Sequence, residues 1–428
     1  MNLLARIIWY RSKARIKRAL HSHSTSKIPP AKSAISLPFE LVEMIVVHLI
    51  NDIPTLKACS LTCYSWYIIT LPYIHHTFVL RGTRTESLRA LSNRHAQGLT
   101  PFTKEIQILP HSSGPSWFLP RFLRHRDSCH FFVFTDVRSL TVRQLDIAAF
   151  IPGLQQYFGH LSRTLRSLTL TGPRCTSMQL SYFISLFPNL DDISISFFFQ
   201  RPPGGVLAPF STPRLHGKLE LRSVGAVEVW EHLATWGGLR FHSIFVCGVT
   251  MCVPVLLAAC TDTLDTLQIE LASNPGTRPL VCPRLHFDSR FTGGYQQTLV
   301  PDCNLSRLKV LRSLRIKTHR GFLADASFLA AIVSIFRTIT SPVFSELEFI
   351  LWSWCGGNDW LGGPPTKLFY TLNRMYFMRP FKLAFLFVVH EGGDAGWGQV
   401  WRGLVGAAAD EGHLSCFEYP PSIRICRE

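Results

Sequence analysis

A chain of 428 residues exceeds the usual size of a single compact core, so two units or a repeat array are expected. Its 47% hydrophobic content, 31 phenylalanines and 17% charged residues exclude an intrinsically disordered protein, and no run approaches the roughly 20 apolar residues of a membrane span. Of the formal net charge of +16, half belongs to residues 1–36, which hold eight basic residues and no acidic one. The remaining net +8, 36 basic against 28 acidic residues, argues against a nucleic-acid surface on the folded part.

In residues 1–20, apolar Leu3, Leu4, Ile7 and Ile8 are interspersed with Arg6, Arg11, Arg15 and Arg18. The stretch reads as an unstructured basic leader; contact with an anionic membrane as an amphipathic helix, nuclear import and a mitochondrial presequence are the targeting alternatives. Residues 21–36, with two prolines and several serines, read as a linker.

Residues 37–80 carry the pattern of three short helices. Pro38 suits a first helical turn, where its missing N–H is no loss. Leu41, Met44, Ile45, His48 and Leu49 recur at helical spacing and predict one apolar stripe. Asn51, Asp52 and Pro54 break that helix, and Asp52 or Thr55 caps the next. Leu56, Cys59, Leu61, Cys63 and Trp66 give a second series, predicted to end before Pro72. Three helices in so few residues enclose a thin core, marginal by itself, which a partner surface would complete.

That ordered set resembles the F-box. The likeness rests on Leu37-Pro38 with Glu40-Leu41, on Ile45 and Leu49, on the run from Thr55 through Leu56 to Leu61, and on Cys63, Ser65-Trp66, Pro72 and Phe78-Val79-Leu80. The resemblance implies docking on the small acidic Skp1-type adaptor of a Skp1–cullin–F-box ubiquitin ligase. Leu37, Pro38, Leu41, Ile45, Leu49, Leu56 and Trp66 would form the docking and core set. Two departures stand out: Tyr64 where a basic residue usually precedes Ser-Trp, and Thr70-Leu71 in place of an arginine-rich turn.

After a polar helix expected over residues 81–99, the motif L-x-x-L-x-L recurs. Clear copies are Leu165-Arg166-Ser167-Leu168-Thr169-Leu170, Leu190 to Ile195, Leu264 to Ile269, Leu311 to Ile316 and Phe344 to Phe349, with related stretches at 102–108 and 137–142. Looser copies lie at 218–221, 241–246 and 382–387. The period-two alternation predicts half-buried strands, and helical stretches are predicted between them at 178–187, 227–236, 251–259 and 322–339. An α/β chain is expected: residues 1–36 a leader and linker, 37–80 the F-box, and 81–428 an irregular leucine-rich-repeat-like solenoid with a parallel sheet, similar to those common behind F-boxes. An ordinary α/β domain is the alternative. Trp352, Trp354, Trp360, Trp397 and Trp401 among glycines and prolines read as a terminal cap or as an aromatic-lined recognition loop.

Twelve cysteines without a C-x-x-C pair point to reduced, buried thiols in a cytosolic or nuclear protein. No phosphate-binding loop, dinucleotide fingerprint, H-E-x-x-H or G-x-S-x-G occurs, and His390-Glu391-Gly392-Gly393-Asp394 reads as a solvated turn. A non-catalytic chain with no cofactor and no metal is expected. In the solenoid reading, residues between the leucines line the concave sheet for a protein substrate: Arg138, Arg143 and Arg166, then Asp191 and Asp192, Asp265 and Glu270, Arg312, Arg315 and Lys317, and Glu346 with Glu348. Blocks of alternating sign suit a protein partner better than a phosphate backbone. The expected function is the substrate-recognition subunit of the ligase. A binding scaffold without adaptor docking, or a basic-tail membrane or nucleic-acid binder, are the alternatives.

Overall fold

The computed structural model describes residues 37–80, 84–109, 134–144, 146–148, 155, 158–196, 199–200, 208–209, 211, 214–222, 227–247, 252–271, 303–319, 326–353, 372, 381–389 and 422–427. They belong to a mixed α/β protein with a parallel sheet, divided into two compact units at Val137/Arg138.

In the first unit Pro38 ends the incoming chain in an extended conformation (φ −50°, ψ 144°) and its carbonyl accepts the amides of Leu41 and Val42. That starts α1, Phe39–His48. Asp52 caps α2, Ile53–Ser60, accepting Thr55 N–H at 3.1 Å and the Thr55 hydroxyl at 2.6 Å, bonds that hold its carboxyl below the ordinary value. The third helix, α3, is Tyr64–Ile74. The three enclose Val42, Val46, Leu56 and Ile69, with Leu49, Ile53, Trp66, Tyr73 and Ile74 packed partly buried against them.

Two expectations are corrected. The inward stripe of α1 is Val42 and Val46 with Leu49, one position off the stripe of Leu41, Met44, Ile45 and His48, all of which are exposed. And α3 does not end before Pro72 but continues to Ile74. A proline this near a helix end removes one internal amide and disturbs one carbonyl, that of Ile68, so little helix is lost. His75 N–H closes the turn on Leu71 O at 3.0 Å.

Strand β1, Thr77–Leu80, follows, then α4, Arg84–Ala96, and β2, Glu105–Ile108, which pairs parallel with β1. Arg94 of α4 fastens this joint. Its guanidinium donates to the His75 carbonyl and, at 2.9 Å, to Thr103 Oγ1, and lies 4.9 Å from the Phe78 ring centroid. Burial lowers its pKa to about 10, still far above neutrality, so the cation persists.

The second unit contains β3 (Ser139–Arg143), β4 (Ser167–Thr171), β5 (Arg174–Cys175), α5 (Ser177–Ser185), β6 (Asp192–Ser196), β7 (Phe199–Gln200), β8 (Leu215–Arg222), α6 (Val227–Trp236), β9 (Leu239–Cys247), α7 (Val253–Ala259), β10 (Thr266–Leu271), β11 (Ser313–His319), α8 (Ala326–Arg337), β12 (Glu346–Ser353), β13 (Lys382–Val389) and β14 (Ser422–Arg427). Every described strand pair is parallel, and apart from β5 and β7, which form a separate two-stranded sheet, the strands follow chain order in one sheet. Each predicted L-x-L stretch from 137 onward is a strand, and each of the four predicted inter-strand helices contains a helix. Residues 422–427 form a further strand outside the predicted copies, although they alternate with period two.

The pairing register aligns the motif leucines. Leu140, Leu168, Ile193, Leu219, Ile244, Leu267, Leu314, Leu347 and Leu383 form one buried row, and from β3 to β12 the residues two positions on, Val142 through Phe349, form a second. Helices cover that face: the capping box of Thr176 and Gln179 opens α5, and Ser181 Oγ reaches Val229 O of α6 at 3.2 Å. Gly217, at φ +87°, sits where the β8–β9 register shifts. A Cβ there would stand 2.1 Å from Asp191 O, the carbonyl that accepts Lys218 N–H at 2.8 Å.

Gly217→Ala is therefore expected to destabilise the second unit by about 2–4 kcal/mol, through backbone strain plus a clash with main chain that cannot give way. A urea midpoint unchanged from wild type would refute the requirement. In the first unit, burial of the His75 ring and the charges of Arg94 and Lys57 hold its pKa below the ordinary histidine value. The unfolded chain takes up that proton first, so stability is to fall as pH drops below about 6.5. The urea midpoint of wild type should fall further between pH 7.5 and 5.5 than that of His75→Gln; equal falls reject the assignment.

Candidate docking surfaces

At roughly 100° per residue, α1 divides into three faces. Val42, Val46 and Leu49 point into the core. Leu41 and Ile45 form a second face, and Glu40, Glu43, Met44, Val47 and His48 line a shallow groove on the third. A helix apolar on most of its circumference is ordinarily buried on most of it, yet here Leu41 is 41% and Met44 55% exposed. Leu37, Phe39 and Ile50 extend the apolar surface, and Leu61 at the α2–α3 turn, with Tyr64 and Tyr67 of α3, is exposed as well. Single exposed leucines are ordinary in soluble proteins; this density within 31 residues of one three-helix segment is not.

The positions carrying the family resemblance are thus split by the fold. Leu56 is fully buried, and Leu49 and Trp66 pack partly buried against it, so these three hold the helices together. Leu37, Pro38, Leu41 and Ile45 are exposed and free to contact another molecule. Spacing placed Met44 and Leu61 in apolar series but not on an exposed surface, and it missed Phe39 and Val47; the apolar residues spread around most of α1 were the signal that could have found them. Tyr64 is exposed at the first turn of α3, whereas Thr70 and Leu71 are buried within that helix.

The second surface is the side of the sheet opposite the leucine rows. On β3, β4 and β6 it carries hydroxyls, Thr141, Thr169 and Ser194 in one row, Thr171 and Ser196 beside Arg143 in the next. From β8 to β12 the same rows become charged. Glu220 takes Arg222 Nε at 2.7 Å and Lys218 Nζ at 3.6 Å, Lys317 pairs with Glu270 at 3.3 Å, and Arg315 Nε with Glu348 at 2.9 Å. Arg222 also lies over the Phe245 ring at 5.0 Å.

Of the twelve residues expected to line the sheet for a substrate, Arg143, Asp192, Glu270, Arg315, Lys317, Glu346 and Glu348 stand on this outer face. Arg138, Arg166, Asp191, Asp265 and Arg312 instead occupy the position just before a strand, at the sheet's leading edge. They were expected to line the sheet because they fall between motif leucines, but they precede the period-two segment, where outward alternation has not begun. At that edge Asp191 pairs with His216 at 2.9 Å and Arg166 donates to Asn189 O at 3.1 Å.

Among the described residues no three His, Cys, Asp or Glu side chains gather to hold a metal, and no helix is long and apolar enough to cross a membrane. Burial pushes the thiols of Cys247, Cys252 and Cys303 up to about 12 and that of Cys260 to about 11, so none is a thiolate nucleophile near neutral pH. The His390–Asp394 cluster and the tryptophans after Trp352 lie outside the described residues. Trp352 itself pairs through its backbone in β12 with His319 and Val388. No family model matches the chain, and no curated protein matches it in sequence.

The division between enclosed and exposed apolar positions predicts opposite outcomes for a substitution in α2 and one in α1. Leu56→Ala should cost about 2–5 kcal/mol. Ile45→Asp, on an exposed face, should change stability by less than about 1 kcal/mol. Urea unfolding of both variants decides; comparable losses would mean that Ile45 is part of the core.

Proposed function

We propose that the chain is the substrate-recognition subunit of a Skp1–cullin–F-box ubiquitin ligase, with α1–α3 docking on the adaptor and the second unit holding a target protein. The observation that carries this reading is the exposed apolar surface of Leu37, Leu41 and Ile45, on helices whose remaining F-box-like positions build the core. A surface of that kind is stable in water only at a cost, which an adaptor removes by covering it. The chain-order parallel sheet supports reading the second unit as an irregular leucine-rich-repeat-like array, a form that offers one long face to a partner. That face carries paired charges of both signs, which favours a protein target over nucleic acid. In this role the chain does no chemistry. It holds the target close to the transferring subunits, and the gain is one of proximity.

Tyr64 favours a second reading. It stands exposed where a basic residue would meet an acidic adaptor, so a binding scaffold without adaptor docking is the competing function.

Co-purification separates the two. Wild-type chain should carry the adaptor and cullin at near-stoichiometric amounts, and Leu41→Asp/Ile45→Asp should lose both by more than tenfold, since a buried charge at a docking face costs several kcal/mol. Substituting only exposed positions keeps loss of folding apart from loss of binding. If wild type carries neither partner, the scaffold reading replaces the ligase.

A further inference from the structure

The groove of Glu40, Glu43, Met44, Val47 and His48 is centred roughly 110° around α1 from the Leu41/Ile45 face; Met44 and His48 border that face, while Glu40, Glu43 and Val47 stay uncovered by a partner seated there. Its chemistry is specific: two apolar side chains, Met44 and Val47, beside two carboxylates one turn apart. Within residues 37–80 the charged residues are Glu40, Glu43 and Asp52 against Lys57, a net negative segment in a chain of net +16. The occupant that fits is therefore apolar and basic. An anionic membrane or an acidic partner is repelled by both carboxylates.

We propose that the groove is the docking site for residues 1–20 of the same chain, with Leu3, Leu4, Ile7 and Ile8 on Met44 and Val47 and the leader's cations beside Glu40 and Glu43. The leader matches on both counts, holding those four apolar residues with Arg6, Arg11, Lys13, Arg15, Lys17 and Arg18 and no acid. It also arrives at the right place. The 16 residues of 21–36 join it to the start of α1, and a linker of that length reaches about 50 Å, against about 15 Å for the whole of α1. Binding in cis then benefits from an effective concentration on the order of millimolar, enough to hold a contact too weak to form between separate molecules. The leader is in this way a cover for the half of the α1 surface that the adaptor face does not include.

The test uses the full chain without any partner, so its outcome is independent of whether an adaptor binds. Zero-length carbodiimide coupling at low salt should join Lys13 or Lys17 to Glu40 or Glu43 within one monomer, as mapped by mass spectrometry, and 0.5 M salt should suppress the product by screening. Reversing Arg6, Arg11, Arg15 and Arg18 to Glu should speed amide hydrogen exchange at residues 44–48 about tenfold, as expected if the leader occupies the groove about nine-tenths of the time. Adding Glu40→Lys/Glu43→Lys to that variant should restore slow exchange. Three results would overturn the proposal: crosslinks confined to dimers, which would make the occupant a second copy; exchange at 44–48 unaltered by charge reversal; or protection of those amides that arises only with phosphatidylserine vesicles.

Discussion

One main-chain joint recurs at four strand starts among the described residues of the second unit. The carbonyl just before one strand accepts two successive amides from the next: Arg138 O takes Arg166 and Ser167, Arg166 O takes Asp191 and Asp192, Asp265 O takes Arg312 and Ser313, and Arg312 O takes Ser345 and Glu346. His76 O holds Lys104 and Glu105 in the same way in the first unit. The joint fixes where each strand starts relative to its neighbour, and a slip of one residue would turn every leucine to the wrong face. The leucine rows, the covering helices and the charge rows on the other side all inherit their alignment from it. At Gly217 a related contact excludes any side chain, because the Asp191 carbonyl, which accepts Lys218 N–H, stands where a Cβ would be.

The first unit solves a different problem. Its three-helix core has four fully enclosed apolar side chains, too few to give much stability without help. Arg94 supplies some of that help by tying the end of α3 to the turn before β2 through two hydrogen bonds and the Phe78 ring. A planar, permanently charged group can serve a carbonyl, a hydroxyl and an aromatic face together, which lysine cannot. With that joint on one side, the apolar surface of α1 is left available on the other.

Much of this was legible in the residues. Period-two alternation located the strands because the L-x-L leucines are buried on one side and polar on the other, a pattern with no helical counterpart. Asp52 as a cap was legible because its carboxylate has one obvious donor in range, Thr55. The stripe of α1 was misassigned for the opposite reason: Val42 and Val46 and Leu41 and Ile45 form two adjacent apolar stripes, so spacing cannot tell core from surface. The helix running through Pro72 was hidden because the rule that proline stops a helix says nothing of how near the end it sits. The leading-edge positions of Arg138, Arg166 and Arg312 depend on where alternation starts, which a motif read by its leucines does not specify.

Strand order has a consequence for the birth of the protein. Since the strands of the main sheet are laid down in the order in which they pair, its long-range contacts stay short in sequence and can form while the chain is being translated. At every such stage the newest strand offers an open hydrogen-bonding edge flanked by apolar residues, the surface on which nascent chains cross-pair. Where synthesis waits at a strand such as β13, Lys-Leu-Ala-Phe-Leu-Phe-Val-Val, apolar on both sides, the danger is greatest. For this molecule, the pace of the ribosome through β12 and β13 bears on yield as directly as any contact in the finished fold.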